Sequence, residues 1–248
     1  MSSKDELIQA LRPEDQTPQV QALADMLAGA GIENLHPALK KWVFETDFGP
    51  MIKHPFVYMM LGGSNALLVQ NANKMYAAKI QCRRDYLDRG QWDQYLWAHE
   101  RPYRMHVLAK LYERDRISHA QLCELLPTFW IDCEMPQSNQ EEPLHLFREA
   151  GFVTDDEEGW KKLAAKKWFK LYRGVDYKYE LTKDGPSWTR SLATAKFFAG
   201  RYGAGGDVFE YRATPDEVLA WLTSRDETEC ILDFDGESSR EKIRKVEL

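Results

Sequence analysis

Trp168-Phe169-Lys170-Leu171-Tyr172-Arg173-Gly174, then Ser187-Trp188-Thr189, then Glu227-Thr228-Glu229-Cys230-Ile231-Leu232 are three short strand-like runs in the last third of the chain. Each carries a chemical device. An arginine ending an apolar strand can fork onto a phosphate through two charge-assisted hydrogen bonds, and Gly174 lets a ligand approach the backbone. Ser187 and Thr189 flank a large aromatic with alternating hydroxyls. Strand alternation across 227–229 predicts both glutamates on one face, about 7 Å apart, and paired carboxylates at the mouth of a strand suit a developing cation. Taken singly, each has a plain structural reading: Arg173 pairs with a surface acid, Ser187 caps a turn, and the glutamates form a solvated face. Their order along the chain is what joins them.

Outward from these runs, Val208-Phe209-Glu210-Tyr211-Arg212 alternates with period two and reads as another strand. A helix is predicted over 193–202, with Phe197 and Phe198 buried and Gly203 ending it. A second is predicted over 215–222, where Pro215 suits the first turn. The tail from Gly236 is charged and reads as loosely held. Before Lys166 the texture is helical. Val20, Leu23, Ala24 and Leu27 recur at three and four, Leu67, Leu68, Met75 and Ile80 at looser helical spacing, and 103–114 carries Val107, Leu108 and Leu111 on one stripe. Ser118 with Gln121 three residues on is a capping-box signature, and Pro127 is expected to close that helix. The aromatics Trp42, Phe44, Phe48, Phe56, Trp92, Tyr95 and Trp97 read as part of the same helical core. The acidic turn 154–159 marks the change, so the expectation is an α+β chain: a helical domain over 1–160 and a second domain over 161–248.

The 248 residues carry a formal charge of −6, which argues against a dedicated duplex-DNA binder. The helical pair 103–114 and 118–126, with Arg101, Arg104, Lys110, Arg114 and Arg116 near it, has the form of a helix-turn-helix or of a plain hairpin with its charges in water. Cys82, Cys123, Cys133 and Cys230 show no Cys-x-x-Cys spacing and read as reduced and mostly buried. None of the six histidines has metal-ligand spacing. Gly203-Ala204-Gly205-Gly206 follows a helix, so it is no dinucleotide fingerprint, and neither a Gly-x-Ser-x-Gly elbow nor a phosphate loop occurs. The polar start lacks an apolar h-region. The uncharged stretch 55–73 is interrupted by Gly62-Gly63-Ser64-Asn65 and reads as buried core rather than a membrane span. A soluble, cytoplasmic protein is expected.

The C-terminal set resembles the Arg–Ser–Glu class of the ADP-ribosyltransferase superfamily, which includes mono-ADP-ribosyltransferases and bacterial toxins. That class shows a strand-ending arginine, a Ser-x-Ser/Thr strand, a helix, and Glu/Gln-x-Glu before an apolar strand. Here these are Arg173, Ser187-Trp188-Thr189, the 193–202 helix and Glu227-Thr228-Glu229, spanning 168–234. The absence of histidine after residue 145 argues against the His–Tyr–Glu branch. The resemblance implies a split β-sandwich holding NAD⁺. Arg173 would bind pyrophosphate and the Gly174 backbone the nicotinamide amide. Ser187 would support the nicotinamide ribose with Thr189 alongside. Trp188 would fall in the nicotinamide pocket, where the family more often has a small residue, and Phe197 or Phe198 would stack there. Glu229 would hold the ribose hydroxyls and stabilise the oxocarbenium-like state, and Glu227 would orient or deprotonate the acceptor. The implied activity is transfer of ADP-ribose from NAD⁺ to a protein or RNA acceptor, as in a toxin or phage-defence effector, with the helical half meeting a target or an inhibitory protein. NAD⁺ hydrolysis at the same site is a second enzymatic version. A non-catalytic module that recruits a partner or nucleic acid is the alternative from another class.

Overall fold

The computed structural model describes residues 31–62, 66–133, 141–179, 182–225, 227–234 and 240–247. The helix expected around Val20–Leu27 lies outside them. The chain is mixed α+β and divides into two compact units, Met1–Tyr103 and Arg104–Leu248. The expected boundary at 160/161 is therefore not where the chain divides.

In the first unit a short helix α1 (Pro37–Lys40) leads to an antiparallel meander of β1 (Val43–Thr46), β2 (Gly49–His54) and β3 (Val57–Met60). This corrects the helical expectation for these residues. The turn Thr46-Asp47-Phe48-Gly49 explains it: Gly49 takes a left-handed φ of 102°, and the Thr46 hydroxyl donates to the Gly49 carbonyl at 2.7 Å. Two helices follow, α2 (Ala66–Arg89) and α3 (Trp92–Ala98). Leu39, Ile52, Val57, Leu61, Val69 and Ala72 close the core of this unit.

The second unit begins with α4 (Arg104–Glu113), α5 (His119–Asp132) and α6 (Glu141–Ala150), followed by β4 (Val153–Thr154) and α7 (Glu157–Ala164). The capping box is present. Gln121 N–H donates to the Ser118 hydroxyl at 3.3 Å, and Ser118 N–H to the Gln121 side chain at 2.9 Å. Pro127 lies inside α5 instead of ending it, because Phe129 and Trp130 beyond it are buried and tertiary packing overrides local propensity. Then come β5 (Phe169–Asp176), β6 (Ser187–Thr189), α8 (Leu192–Gly200), β7 (Gly206–Ala213), β8 (Val218–Leu222), β9 (Glu229–Leu232) and β10 (Arg244–Lys245). The expected helix over 215–222 is a single 3-10 turn, Pro215–Glu217, followed by β8. Val218-Leu219-Ala220-Trp221-Leu222 is buried at four of its five positions, so it shows no period-two signal. The tail is not loose at its far end: β10 pairs with β7, Ile243 enters the core, and Lys245 reaches Asp207 at 2.6 Å.

These strands form one sheet in the order β10-β7-β5-β6-β9-β8-β4, antiparallel except for the β4–β8 pair. β5 meets β6 through the single pair Tyr172↔Thr189, whereas β5 and β7 are paired along the whole of β5. The sheet is thus nearly parted into two halves between β5 and β6. One face buries Phe169, Leu171, Trp188, Tyr211, Trp221, Cys230, Leu232 and Phe234. The other receives α8 through Ala195 and Ala199. The helices before β4 belong with this sheet for specific reasons. Arg148 of α6 grips Asp233 with two hydrogen bonds of 2.5 and 2.9 Å, and the Thr154 hydroxyl donates to the Trp221 carbonyl at 2.7 Å. The Asp155 carboxylate accepts from the amides of Thr223 and Ser224 at 2.7 and 3.0 Å. Of the four cysteines only Cys230 is buried, and the other three are partly exposed.

Candidate functional site

The near-parting of β5 from β6 leaves the Ser187 carbonyl without a strand partner, and a side chain fills the gap. Arg173 Nη1 donates to that carbonyl at 2.8 Å, and its Nε donates to the Thr182 carbonyl at 3.1 Å. Arg173 is 7 % exposed. A Cβ on Gly185 would stand 2.2 Å from Arg173 Nη2, so glycine is needed there to admit the arginine. Burial lowers the Arg173 pKa to about 10, against the opposing pull of Asp184 and Glu229, and the group stays a cation at neutral pH.

Across β6 the Ser187 hydroxyl donates to Glu229 Oε1 at 2.5 Å. Arg173, Ser187 and Glu229, far apart in sequence, are brought together. Burial pushes the Glu229 carboxyl above the ordinary carboxylate range and Glu227 adds to this, while the hydrogen bond from Ser187, the Trp130 side chain and the charge of Arg225 act the other way. A carboxylate of raised proton affinity, held by a hydroxyl beside a buried cation, can stabilise positive charge developing on a ligand or grip its hydroxyls.

The remaining predicted residues divide. The Thr189 hydroxyl donates to the Glu227 carbonyl at 2.5 Å and accepts from Ser191 N–H at 3.0 Å, so it shapes the turn carrying Glu227. Glu227 is not on a strand face with Glu229: it lies in a bend, and Thr228 between them has a left-handed φ of 44°, which breaks the alternation. Trp188 is a correction. Alternation turns it away from Ser187 and Thr189 into the core, 1 % exposed, packed on Tyr211 and Phe234 with its indole N–H on the Gly185 carbonyl at 2.8 Å. Gly174 faces α8 rather than open space. A Cβ there would stand 2.0 Å from the Ala195 carbonyl oxygen and 2.6 Å from the Ala199 nitrogen, so its glycine is explained by helix packing. Phe198 of α8 lies half-buried over Gly174, while Phe197, expected to be buried, is 62 % exposed.

Sequence reasoning missed Trp130, because a tryptophan on the apolar stripe of a helix reads as core. It also missed Asp184, which only the fold brings near Arg173. The helical pair offers little to nucleic acid through Arg104, ion-paired with Asp132, or Lys110, 2.6 Å from Glu113. An open recess of about 630 Å³ lined by Tyr112, Arg116, His119, His145 and Glu149 shares no residue with the site. Among the described residues no group of three or more His, Cys, Asp or Glu is arranged to hold a metal ion, and no helix is long and apolar enough to cross a membrane. Comparisons with protein-family models, curated proteins and solved structures return no match to this chain.

Proposed function

We propose that the chain is an NAD⁺-dependent mono-ADP-ribosyltransferase acting on a protein or RNA. The observation that carries this reading is the Ser187–Glu229 hydrogen bond beside the buried Arg173, at the point where the sheet parts. That parting accords with a split β-sandwich, and the residues occur in the order of the Arg–Ser–Glu class. Two of the five N–H groups of Arg173 are engaged by carbonyls, which leaves up to three for a pyrophosphate oxygen. Glu229 grips the nicotinamide ribose hydroxyls and opposes the positive charge that develops as the C1′–N bond breaks. The bonding pair departs with nicotinamide, the acceptor adds to C1′, and its proton passes to Glu227. Phe198, over Gly174, offers a ring to the nicotinamide. A role as a toxin or defence effector, acting in the cytoplasm, belongs to the same reading.

The test is incubation of the purified chain with labelled NAD⁺ and a cell lysate, with Glu229→Gln as control. Label on protein or RNA that the variant abolishes supports transfer and names the acceptor class. Nicotinamide release without label points to a glycohydrolase. Neither release nor NAD⁺-induced thermal stabilisation, which at 100 times Kd amounts to about 2.7 kcal/mol, leaves a non-catalytic binding module.

A further inference from the structure

Asp176 closes β5 with 1 % exposure, and its carboxylate accepts two backbone amides, from Lys178 at 2.8 Å and from Tyr202 at 3.0 Å. One buried acid thereby clamps the turn Tyr177–Tyr179 to the end of α8, and Tyr177 N–H adds a bond to the Gly205 carbonyl at 3.0 Å. The side chains gathered there face water. Phe197 is 62 %, Tyr177 56 % and Tyr202 44 % exposed, and Lys178, Lys196 and Arg201 are exposed with them. Phe197, next to Lys196 and four residues before Arg201, lies on the side of α8 turned away from the buried Ala195 and Ala199. Cations and rings interleave. Lys178 Nζ stands 5.3 Å from the centre of the Tyr202 ring, and the Arg201 guanidinium is 5.4 Å from that centre and 5.8 Å from the centre of Phe198.

The chain as a whole is acidic, at −6, yet residues 185–206 hold Arg190, Lys196 and Arg201 and no aspartate or glutamate. The flanking acids are taken up, Asp176 by its two amides and Asp207 by Lys245 at 2.6 Å. An acidic peptide would pair with the cations and leave Phe197 in water. An apolar protein surface would cover the ring and bury lysines, which the cores of such interfaces exclude. An unpaired nucleotide supplies both a π face for the rings and a phosphate for the cations, whereas bases stacked inside a duplex cannot reach a ring. We propose that the outer face of α8 and the turn beside it bind single-stranded RNA, which makes RNA the acceptor of the transferred ADP-ribose. The acceptor role rests on the transferase reading; the binding surface does not.

The probe is fluorescein-labelled oligouridine of about 20 nucleotides, titrated with the full chain by fluorescence anisotropy between about 50 and 200 mM salt. Oligodeoxythymidine of the same length and a polyglutamate peptide are the comparisons. Phe197→Ala weakens RNA binding about tenfold, the loss of one stacked base. Lys196→Gln flattens the slope of log affinity against log salt by about 0.7, the loss of one phosphate contact to a single strand. Arg114→Gln removes an exposed cation from the helical hairpin instead and leaves both quantities where they were. Thermal melting checks that each variant is folded, and Lys196→Gln, at a fully polar surface position, decides the matter if Phe197→Ala is not. No RNA binding by the wild type, tighter binding of the DNA or of the peptide, or an equal loss in Arg114→Gln overturns the proposal. RNA binding by a chain that releases no nicotinamide from NAD⁺ overturns the transferase reading and leaves the surface standing. Nicotinamide release with label on protein alone and no RNA binding does the reverse.

Discussion

Gly174→Ala separates packing from ligand approach as the reason for that glycine. The added methyl would stand 2.0 Å from the Ala195 carbonyl oxygen, 2.6 Å from the Ala199 nitrogen and 3.0 Å from Phe198 Cβ, two of them backbone atoms that cannot rotate away. To bring the closest approach out to the 3.4 Å of ordinary contact, α8 has to retreat by about 1.4 Å. It would do so along the face where Ala195 and Ala199 meet Val208. Overpacking of this kind costs about 1–3 kcal/mol, and a clash with backbone belongs at the upper end. For a chain of this size that corresponds to a fall in Tm of roughly 6–12 °C. Differential scanning calorimetry and urea denaturation of the variant read it directly. Gly200→Ala is the internal control, on the same helix with nothing within 4 Å of the new methyl and no left-handed φ, so it is neutral or slightly stabilising. A Gly174→Ala protein within about 0.5 kcal/mol of wild type that binds NAD⁺ poorly would refute the packing argument and restore ligand approach.

Three further outcomes are expected. Ser118→Ala removes one half of the capping box at the start of α5 and lowers stability by about 1 kcal/mol in urea titration; no change would mean the cap is idle. Burial leaves Cys230 0 % exposed and pushes its thiol up, so alkylation followed by mass spectrometry finds Cys230 unmodified until the chain is unfolded, and modification of the native protein contradicts this. Burial also holds Glu229 above the ordinary carboxylate range, so the folded chain keeps a proton that the unfolded chain has already lost. Stability contributed by this group is therefore complete below the unfolded pKa and is lost as pH rises through the folded one. The Tm of Glu229→Gln relative to wild type rises across that window and is flat beyond it; a difference independent of pH would be inconsistent with a carboxyl held above its ordinary range.

β5, β6, β7 and β9 were legible because each runs between turn residues or alternates. The capping box was legible because Ser118 and Gln121 act locally. β8 was not, since a strand buried on both faces has no alternation to separate it from a helix, and Pro215 supports either. β1 to β3 were hidden because their aromatics fit a helical core equally well, and only the Thr46–Gly49 turn decides against it. Arg173, Ser187 and Glu229 were found because residue types in a fixed order survive without any knowledge of contacts. Trp188 was misplaced by the same logic, since order says nothing of the face on which a middle residue falls. Glu227 went wrong at one φ angle, that of Thr228.

The most direct measurement is the rate of nicotinamide release from NAD⁺ by the full chain, wild type against Glu229→Gln, at saturating NAD⁺. The account predicts release by the wild type and a fall of roughly 10²–10³-fold in the variant, the loss expected when a charge aimed at a developing cation is removed. Equal rates, or a wild type that releases none, would contradict the assignment of Glu229 as the catalytic carboxylate.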